Sequence, residues 1–529
     1  MIDNVTVRQG QLSGLATHGV SAFLGVPYAA PPIGDLRWHP PRPAEPWDGV
    51  REAHHFGPVP PQPAPVSHSL YHPGDQAQSE DCLTLNVWTA AETSSERRPV
   101  LVWFHMGAFL FGSSAWTTAS GGRLFDGTAL ALQGVVVVTA NYRLGRLGFL
   151  AHEWLSAESE YGASGNYGFM DQVAVLQWVQ DNIVQFGGNP GNVTIIGVSA
   201  GAASSSMHMT SPLSCGLFHK VIAGSGGFMA PAAGKSGIFD RLLDLRTAEQ
   251  RGKAVTDLLK VNSLAELRRL PLEQLLSATP VCDPGPWFMA AIGAPVGEGA
   301  SDTNYPVVDG YCLPVAPGDA LRAGNHNDVP LLTGSALHDR SGLPALNSVD
   351  ALSAYLEEDM GALAAAAKQA YPAGNDAQAV ESSGNLLADR VFGWHNWTWA
   401  NLASHTGRAP VYYYDWVYEP PIPQGRYLTG ETGAAHASEV PFLFRNLTAY
   451  DWPWRDADRE MSEIISAYWI NFARTGNPNG DGLPPWPQFQ CDRPLAMQLS
   501  EQVMACAPMR RDRFAMLDTY FATAENSKK

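Results

Sequence analysis

The strongest constraint on this fold is one nine-residue segment, Val193-Thr194-Ile195-Ile196-Gly197-Val198-Ser199-Ala200-Gly201. Its β-branched residues predict a strand, and the small residues that follow predict a closely packed helix. Between them, Gly197 and Gly201 flank Ser199, where a sharp turn brings the backbone so close that a Cβ would clash. A strand, a Gly-x-Ser-x-Gly turn and a helix form the pattern of a nucleophile elbow. The five letters alone also fit an ordinary strand-to-helix turn, so this hypothesis depends on finding partners for Ser199.

Strands and helices alternate through the chain around this segment. Between Gln172 and Phe186, apolar residues recur at helical spacing, and Gly187-Gly188-Asn189-Pro190 ends that helix. Mostly apolar strands, as in a sheet buried on both faces, are predicted at residues 100–104, 134–140, 220–224, 329–333 and 411–416. This alternation predicts an α/β fold with a central, mostly parallel, twisted sheet flanked by helices.

The rest of the chain is predicted to be loops and insertions on the same domain. Residues 230–327 are helical in parts without a regular pattern, which is typical of a large insertion over the active-site face. A loop rich in Pro, His and Ser over residues 57–74 is predicted to be a surface flap. We expect a single domain over residues 1–525 and a frayed tail over 526–529, because α/β folds with insertions reach 529 residues.

Charge and cysteine usage narrow the class of partners. The formal net charge of −17 argues against nucleic acid and anionic membranes, since polyanions attract basic surfaces. No stretch of 18 or more apolar residues and no signal-peptide pattern is present, and the six scattered cysteines form no Cys-x-x-Cys pair. We expect a cytoplasmic protein without metal or cofactor; the alternative is an exported protein with one or two disulfides whose leader has been removed.

Ser199 needs a base, normally a histidine oriented by a carboxylate, and in folds with this elbow the acid and then the histidine follow the nucleophile. His436 lies in a loop of small residues beyond a predicted strand, from which it can reach over the strand ends. Asp339 follows the strand at 329–333, at the edge where catalytic groups of open sheets collect. From the residues alone, the six other histidines after Ser199 stay open as bases, and Asp339 also fits a solvated loop aspartate beside Arg340.

Ester and amide chemistry at a serine also needs backbone N–H groups that hold the oxyanion. One is predicted at Ala200, directly after the nucleophile. Others are predicted in His105-Met106-Gly107-Ala108-Phe109, which follows the strand ending at Phe104 and resembles the HGGG-type motif.

Together these segments resemble the type B carboxylesterase and cholinesterase-like family, particularly its bacterial para-nitrobenzyl-esterase-like members. The likeness runs from Phe23 to Pro478, and its most specific blocks are Ser79-Glu80-Asp81-Cys82-Leu83-Thr84-Leu85-Asn86-Val87, Asn141-Tyr142-Arg143 and Phe186-Gly187-Gly188-Asn189-Pro190-Gly191-Asn192-Val193-Thr194. Several independent blocks in the same order make a chance similarity untenable. The resemblance implies an α/β-hydrolase fold with large insertions over the active-site face.

The resemblance also implies a role for each candidate residue. Ser199 would be the nucleophile, His436 the base and Asp339 the acid of a triad. The amides of Gly107, Ala108 and Ala200 would form the oxyanion hole, and Ser225 would support the triad from behind. Structural ion pairs are implied for Arg37 with Glu80 and for Arg143 with Asp171.

Four positions depart from the family pattern. Met106 replaces the first glycine of the oxyanion loop and is expected to narrow the pocket or shift the loop. Val198 replaces the acidic residue that usually precedes the nucleophile, which removes a negative charge and argues against choline esters. Asp339 is one methylene shorter than the usual glutamate, and Ala437 replaces a glycine. Cys82 matches a half-cystine of extracellular relatives, but no cysteine precedes it here.

The function predicted from all this is a serine carboxylic-ester hydrolase that forms an acyl-enzyme on small to bulky, mainly neutral apolar esters. One alternative is hydrolysis of a carbamate, an amide or a specialised natural-product or xenobiotic ester on the same triad. Another is a non-catalytic interaction protein of the same fold. The protein is expected to be a monomer or homodimer. Aromatic residues that fit either a pocket lining or core packing are Trp116, Trp287, Phe288, Phe392, Trp394, Trp397 and Trp399.

Overall fold

A mixed, mostly parallel sheet runs through the middle of the protein. The computed structural model describes residues 1–63, 69–232, 241–277, 305–340, 346–427 and 432–526, with side chains up to residue 522. Within these ranges the strands are β1 (Asn4–Val7), β2 (Gly10–Ser13), β3 (Leu15–Thr17), β4 (Val20–Pro27), β5 (Val50–Glu52), β6 (Thr84–Thr89), β7 (Arg98–Phe104), β8 (Val136–Ala140), β9 (Gly188–Val198), β10 (Lys220–Gly224), β11 (Leu243–Asp244), β12 (Val307–Val308), β13 (Leu331–Ala336), β14 (Val411–Trp416), β15 (Ala496–Leu499) and β16 (Met504–Cys506).

Eleven of these described strands form the central sheet, in the order β16-β15-β14-β13-β10-β9-β7-β8-β6-β4-β3. All neighbours from β8 through β7, β9, β10, β13 and β14 to β15 are parallel, whereas both ends of the sheet are antiparallel. Two small sheets, β1-β2-β5 and β11-β12, lie apart from it. This is the α/β-hydrolase fold, as the sequence predicts.

Helices cover both faces of the sheet. Those described are α1 (Thr128–Ala131), α2 (Gly145–Phe149), α3 (Glu153–Glu158), α4 (Tyr167–Asn182), α5 (Ala200–Thr210), α6 (Leu245–Leu259), α7 (Leu264–Arg269), α8 (Leu272–Ser277), α9 (Pro317–Arg322), α10 (Val349–Met360), α11 (Ala364–Ala370), α12 (Asp376–Ala388), α13 (Trp394–Thr406), α14 (Val440–Leu443), α15 (Asp456–Thr475) and α16 (Arg511–Asn526). A π-helical turn, Asp389–Gly393, joins α12 to α13. Among the described helices, none is both long and apolar enough to cross a membrane.

Alternation along β7 shows how the core is divided. Val100 and Val102 belong to a buried cluster that includes Val179 of α4. Leu101 and Trp103 belong to a second cluster, which includes residues of α15. Because successive strand residues point to opposite faces, an uninterrupted apolar strand packs against helices on both sides of the sheet.

Several predicted boundaries are wrong. The strands predicted to begin at 100, 134 and 329 begin at Arg98, Val136 and Leu331. The strand predicted to end at Thr333 continues through Gly334 to Ala336. A Cβ at position 334 would overlap the backbone of the adjacent Tyr414, so only glycine lets the two strands pair this closely. The predicted helix at 172–186 begins earlier, at Tyr167, and becomes a 3₁₀ turn from Ile183 to Phe186.

The loop over residues 57–74 is not a surface flap. Gln62, Leu70 and Tyr71 are buried, although residues 64–68 lie outside the described ranges. The Gln62 side chain donates to the Gly112 carbonyl at 3.0 Å and accepts from the Gly112 N–H at 2.7 Å, so the loop is fastened to the segment that follows the oxyanion loop.

The domain bounds at residues 1–525 stay a prediction, and part of the predicted tail, 527–529, lies outside the described residues. Cys82, Cys215, Cys312, Cys491 and Cys506 are free thiols within the described ranges, and Cys282 lies outside them.

The functional candidates follow five adjacent parallel strands. His105 comes directly after β7, Ser199 after β9 and Ser225 after β10. Asp339 and His436 lie in the loops after β13 and β14. Since β7, β9, β10, β13 and β14 are neighbours with parallel directions, their carboxyl ends share one edge of the sheet.

Candidate active site

Ser199 occupies the turn between β9 and α5. Its backbone has φ +59° and ψ −123°, a conformation that residues with a side chain rarely adopt. The Ser199 N–H donates to the Gly224 carbonyl at 3.0 Å, and the Ser199 carbonyl accepts from the Ala203 N–H at 2.9 Å. A Cβ on Gly197 would overlap the backbone of Gly201, so the turn needs glycine at that position. These contacts hold the serine on a sharp, fixed corner at the strand end.

Two loops meet above the strand ends and bring Asp339 to His436. The Asp339 Oδ1 atom lies 2.9 Å from His436 Nδ1. One residue earlier, His338 pairs with Ala435 in an isolated parallel bridge, and its N–H donates to the Ala434 carbonyl at 3.1 Å. This backbone pairing fixes the register of the two loops, so the carboxylate and the imidazole face each other.

The alternative of a solvated loop aspartate is wrong, because the Asp339 side chain is fully buried. The neighbouring Arg340 interacts instead with Glu381, at 3.7 Å. The second oxygen of Asp339 accepts a hydrogen bond from Ser225 Oγ at 2.8 Å. Ser225 Oγ in turn accepts from the Ala336 N–H at 3.1 Å, which ties the carboxylate to the end of β13.

Two aromatic side chains hold His436 in place. The Phe392 ring, from the π-helical turn, stacks on the imidazole with centroids 4.2 Å apart and an interplanar angle of 24°. The Tyr71 hydroxyl donates to the His436 backbone carbonyl at 3.2 Å, and its ring approaches the imidazole edge-on at 6.0 Å. The sequence analysis did not find Tyr71, because it lies in an aperiodic loop.

The loop after β7 presents unpaired backbone donors. Gly107 and Ala108 have φ values of +118° and +53°, and a Cβ on Gly107 would overlap the Phe111 carbonyl. Within the described residues, the N–H groups of Gly107, Ala108 and Ala200 donate to no protein acceptor, although all three residues line the same cavity. Unpaired N–H groups at the N-terminus of a helix and in a strained turn can donate hydrogen bonds to an oxyanion.

His105 stabilises this loop from behind. Its Nδ1 atom lies 2.7 Å from the Met106 carbonyl, and its ring stacks on Tyr142 at 4.4 Å. The Tyr142 hydroxyl donates to the His105 carbonyl at 2.9 Å. Burial lowers the pKa of His105 to about 4, so the ring is neutral near pH 7. Because the Met106 carbonyl and the Gly107 N–H belong to one trans peptide, the contact with Nδ1 also orients that N–H.

Ser199, His436 and the three amides line one cavity that opens to solvent. The remaining walls are mostly apolar and include residues from the inserted segments; they are Tyr71, Met106, Phe111, Trp116, Ala203, Gly226, Gly227, Phe228, Tyr305, Val391 and Phe392. The narrowing expected from Met106 stays a prediction. In the described part of the wall, no residue carries a carboxylate, an ammonium or a guanidinium group. Within the described residues the Ser199 hydroxyl makes no hydrogen bond to His436, a contact that is often loose in an unliganded enzyme.

The predicted aromatic pocket residues fall into two groups. Trp116 and Phe392 line the cavity. Trp394, Trp397 and Trp399 pack in the core, and Trp287 and Phe288 lie outside the described residues.

A buried carboxyl group that the sequence analysis missed lies next to Val198. Val198 is buried and does not line the cavity; it packs near Gly224, close to the carboxyl group of Glu439. Glu439 follows His436 by three residues and precedes the apolar run Val440-Pro441-Phe442-Leu443. A lone carboxylate at the start of such a run, so near the candidate base, was the signal in the sequence.

The implied ion pairs are present. Arg37 binds Glu80 through two bonds of 2.6 and 2.5 Å, and Arg143 binds Asp171 at 2.8 and 2.7 Å. The alternative base His208 is buried between Ser214 and Gln172, away from the cavity. Within the described residues, no group of three or more His, Cys, Asp or Glu side chains is arranged to hold a metal ion.

Comparison with known proteins gives a consistent result. The model of the carboxylesterase family matches residues 3–516. The chain is 34% identical to the fumonisin B1 esterase of Sphingopyxis macrogoltabida, over 89% of this chain and 82% of that protein. It is also 34% identical to the para-nitrobenzyl esterase of Bacillus subtilis, over 92% of both chains. A solved structure of a PNB esterase superposes with a TM-score of 0.80 at 30% identity, covering 97% of this chain and 99% of that one.

Proposed function

The chain belongs to the carboxylesterase family and is a carboxylic ester hydrolase; on this premise we propose that Ser199, His436 and Asp339 hydrolyse the ester through an acyl-enzyme. The observation that carries the proposal is the contact of Asp339 with His436 at 2.9 Å beside a cavity that Ser199 also lines. Side chains from three separate loops converge there on the arrangement that serine hydrolysis needs.

In the first half of the reaction, Ser199 Oγ attacks the carbonyl carbon while His436 takes the hydroxyl proton. Asp339 holds the imidazole through Nδ1 and balances the positive charge that forms on it. The amides of Gly107, Ala108 and Ala200 hold the oxyanion of the tetrahedral intermediate. As that intermediate collapses, His436 gives the proton to the departing alcohol and leaves Ser199 acylated.

In the second half, a water molecule takes the place of the alcohol. His436 removes a proton from the water as the water attacks the acyl carbon, and the same amides hold the second oxyanion. Return of the proton to Ser199 Oγ releases the carboxylic acid and restores the free enzyme. The stack of Phe392 on His436 keeps the imidazole oriented in both halves.

The cavity supports mainly neutral, apolar esters as substrates. Its described walls are aromatic or aliphatic and carry no charged side chain that would bind an ionic substituent. We propose that these substrates range from short acyl esters to bulky ones. A carbamate or an amide would meet the same nucleophile and amides, so these remain alternatives to be separated by assay.

The test replaces Ser199 with alanine. We expect turnover of a neutral p-nitrophenyl ester to fall by about 10⁶-fold, the size measured for loss of a triad serine. Labelling by a fluorophosphonate probe should vanish with it, whereas Ser95→Ala, an exposed serine far from the cavity, should leave both readouts unchanged. A Ser199→Ala protein that keeps most of its activity and labelling would refute the proposal.

A panel of esters with increasing acyl length, assayed beside a carbamate and an anilide, decides the substrate class. Turnover highest on neutral esters supports the proposed class, and turnover highest on the carbamate or the anilide would replace it. The cytoplasmic location and the monomeric or homodimeric state stay predictions.

A further inference from the structure

Behind the triad lies a buried carboxyl group that the proposed reaction does not use. Glu439 is fully buried just before α14, three residues after His436. Neither Oε1 nor Oε2 has a hydrogen-bond partner among the described residues. Buried polar atoms are nearly always paired in proteins, so two unpaired oxygens on one carboxyl group need an explanation.

The surroundings of Glu439 contain no cation to balance a negative charge. From β9 and β10 it meets Val198 and Gly224: a Cβ on Gly224 would lie 3.0 Å from Glu439 Oε1 and 3.3 Å from Val198 Cγ2. From β14, Tyr414 faces the carboxyl group, and from the loop after β13 the carboxylate of Asp339 repels its ionised form. On its own loop, the nearest titratable neighbour is His436, which already pairs with Asp339.

The buried Arg510, whose charge interacts with Asp339, is committed elsewhere. Arg510 donates to the Ala336 carbonyl at 2.9 Å and to Ser335 Oγ at 2.6 Å. It also forms ion pairs with Asp389 and Asp415, at 3.3 and 3.5 Å. Its charge is therefore shared by two other carboxylates, and its donors point to β13.

An ionised carboxylate without donors in an apolar pocket is far less stable than the neutral acid. Burial, and then the charge of Asp339, raise the pKa of Glu439 to about 8. The backbone N–H of Glu439 itself acts in the opposite direction, and these two larger causes outweigh it.

We propose that Glu439 is held as a neutral carboxylic acid beside the triad, so that Asp339 is the single negative charge that faces His436. Val198 contributes to this state, because a polar side chain at that position could form a hydrogen bond with the Glu439 carboxyl group and valine cannot. Glu439 does not touch the reacting atoms and is a positioning residue whose protonation state sets the charge behind the histidine. The part of the proposal that concerns turnover rests on the proposed function.

The consequence for stability has a definite sign. A carboxyl group whose pKa is raised in the folded state contributes stability that is fully present below its unfolded pKa, near 4.3. That contribution is lost as the pH rises through the folded pKa of Glu439, about 8. Stability should therefore fall between about pH 5 and 8 through this one group, and an uncharged isostere should not show this fall.

The test compares Glu439→Gln with the wild type by thermal melting between pH 5 and 9. We expect the Tm of E439Q minus that of the wild type to rise by about 2–4 °C across this range. Any constant offset caused by packing of the amide cancels, because only the slope with pH is read. Glu357→Gln is the matched control: that carboxylate is exposed and pairs with Lys368 at 2.7 Å, so its Tm difference should stay flat above pH 6.

Infrared difference spectra of the same pair report the proton directly. A protonated carboxyl C=O band at pH 7, absent from E439Q and lost from the wild type above about pH 9, is the expected result. Absence of that band at pH 7, or a Tm difference that does not change with pH, would overturn the proposal.

Turnover supplies the third reading. The pH profile of kcat/KM should show an inflection near pH 8 in the wild type that E439Q lacks, with the two proteins within about threefold of each other at pH 7. If neither profile has that inflection, Glu439 does not act on the triad. The pH dependence of Tm and the infrared band decide whether Glu439 is neutral even if the Ser199→Ala variant shows that the protein uses another nucleophile.

Discussion

Replacing Ser225 with alanine tests how the triad acid is held. The Ser225 hydroxyl donates to Asp339 Oδ2 at 2.8 Å and accepts from the Ala336 N–H at 3.1 Å. Both Ser225 and Asp339 are fully buried, so water does not replace the lost hydroxyl freely. The substitution removes one hydrogen bond to a charged group and leaves one backbone donor unpaired.

The expected magnitude follows from these two contacts. A hydrogen bond to a charged group contributes about 1.5–3 kcal/mol, and an unpaired buried donor costs about 1–3 kcal/mol. Allowing for relaxation, we expect the free energy of unfolding to fall by about 2–4 kcal/mol. With an unfolding entropy of about 2.1 cal/mol/K per residue, a chain of 529 residues then loses about 2–4 °C in Tm.

Turnover should fall as well, because Asp339 orients His436 through its other oxygen. If about half of the charged hydrogen bond is lost in the transition state, the barrier rises by about 1.4 kcal/mol and kcat falls about tenfold. KM for a short neutral ester should change little, since Ser225 does not line the cavity.

Ser225→Gly is the matched control. Ser225 has φ +47°, which glycine adopts more easily than alanine, so the two variants differ in backbone strain but both lack the hydroxyl. We expect both to lose a similar factor in kcat, with the glycine variant the more stable. Recovery of kcat in Ser225→Gly would show that strain, and not the hydrogen bond, is what matters; an unchanged kcat in both would refute the positioning role.

Three further predictions concern the same site. Asp339→Asn should lower kcat by about 10⁴-fold, because an amide orients His436 in the wrong tautomer. Thermal melting should show little change in Tm. A variant that keeps more than about a tenth of the activity would contradict this role. Tyr71→Phe keeps the ring but loses the bond to the His436 carbonyl, so kcat should fall up to about tenfold, and an unchanged kcat would remove Tyr71 from the account. Ala437→Gly should raise the free energy of unfolding by roughly 0.5–1 kcal/mol in denaturant titration, because Ala437 has φ +58°, and a loss of stability would contradict the strain assigned to it.

The fold could be predicted from the sequence where the signal is local. Strands 220–224 and 411–416 have the bounds that their mostly apolar runs indicate, because a strand buried on both faces is largely apolar. The end of β13 could not be predicted in this way. Gly334 interrupts the local pattern, and what continues the strand is its pairing with Gly224 on one side and Tyr414 on the other.

The candidate site divides along the same line. Ser199 and Ala200 are specified by a five-residue motif. Several histidines fit the chain order, so Asp339 and His436 follow from the resemblance to the family. Tyr71 lies more than 350 residues from the histidine that it contacts, in a loop without periodicity, and nothing in that loop indicates where it folds. Contacts of this kind depend on which loops meet above the sheet, which local sequence does not determine.

Backbone strain connects the motif residues to those that no motif identifies. Ten described non-glycine residues have positive φ, and five of them, Ala108, Phe109, Ser199, Ser225 and Ala437, belong to the site or its oxyanion loop. Each such residue costs about 1–3 kcal/mol, which the surrounding hydrogen bonds and packing must offset. Ser199, Ser225 and Ala437 are strained in this way. Their neighbours therefore hold them in backbone conformations that these residues would not adopt by their own preference. Relieving the strain at Ala437 should therefore stabilise the chain, whereas relieving it at Ser225 cannot restore the hydroxyl on which Asp339 depends.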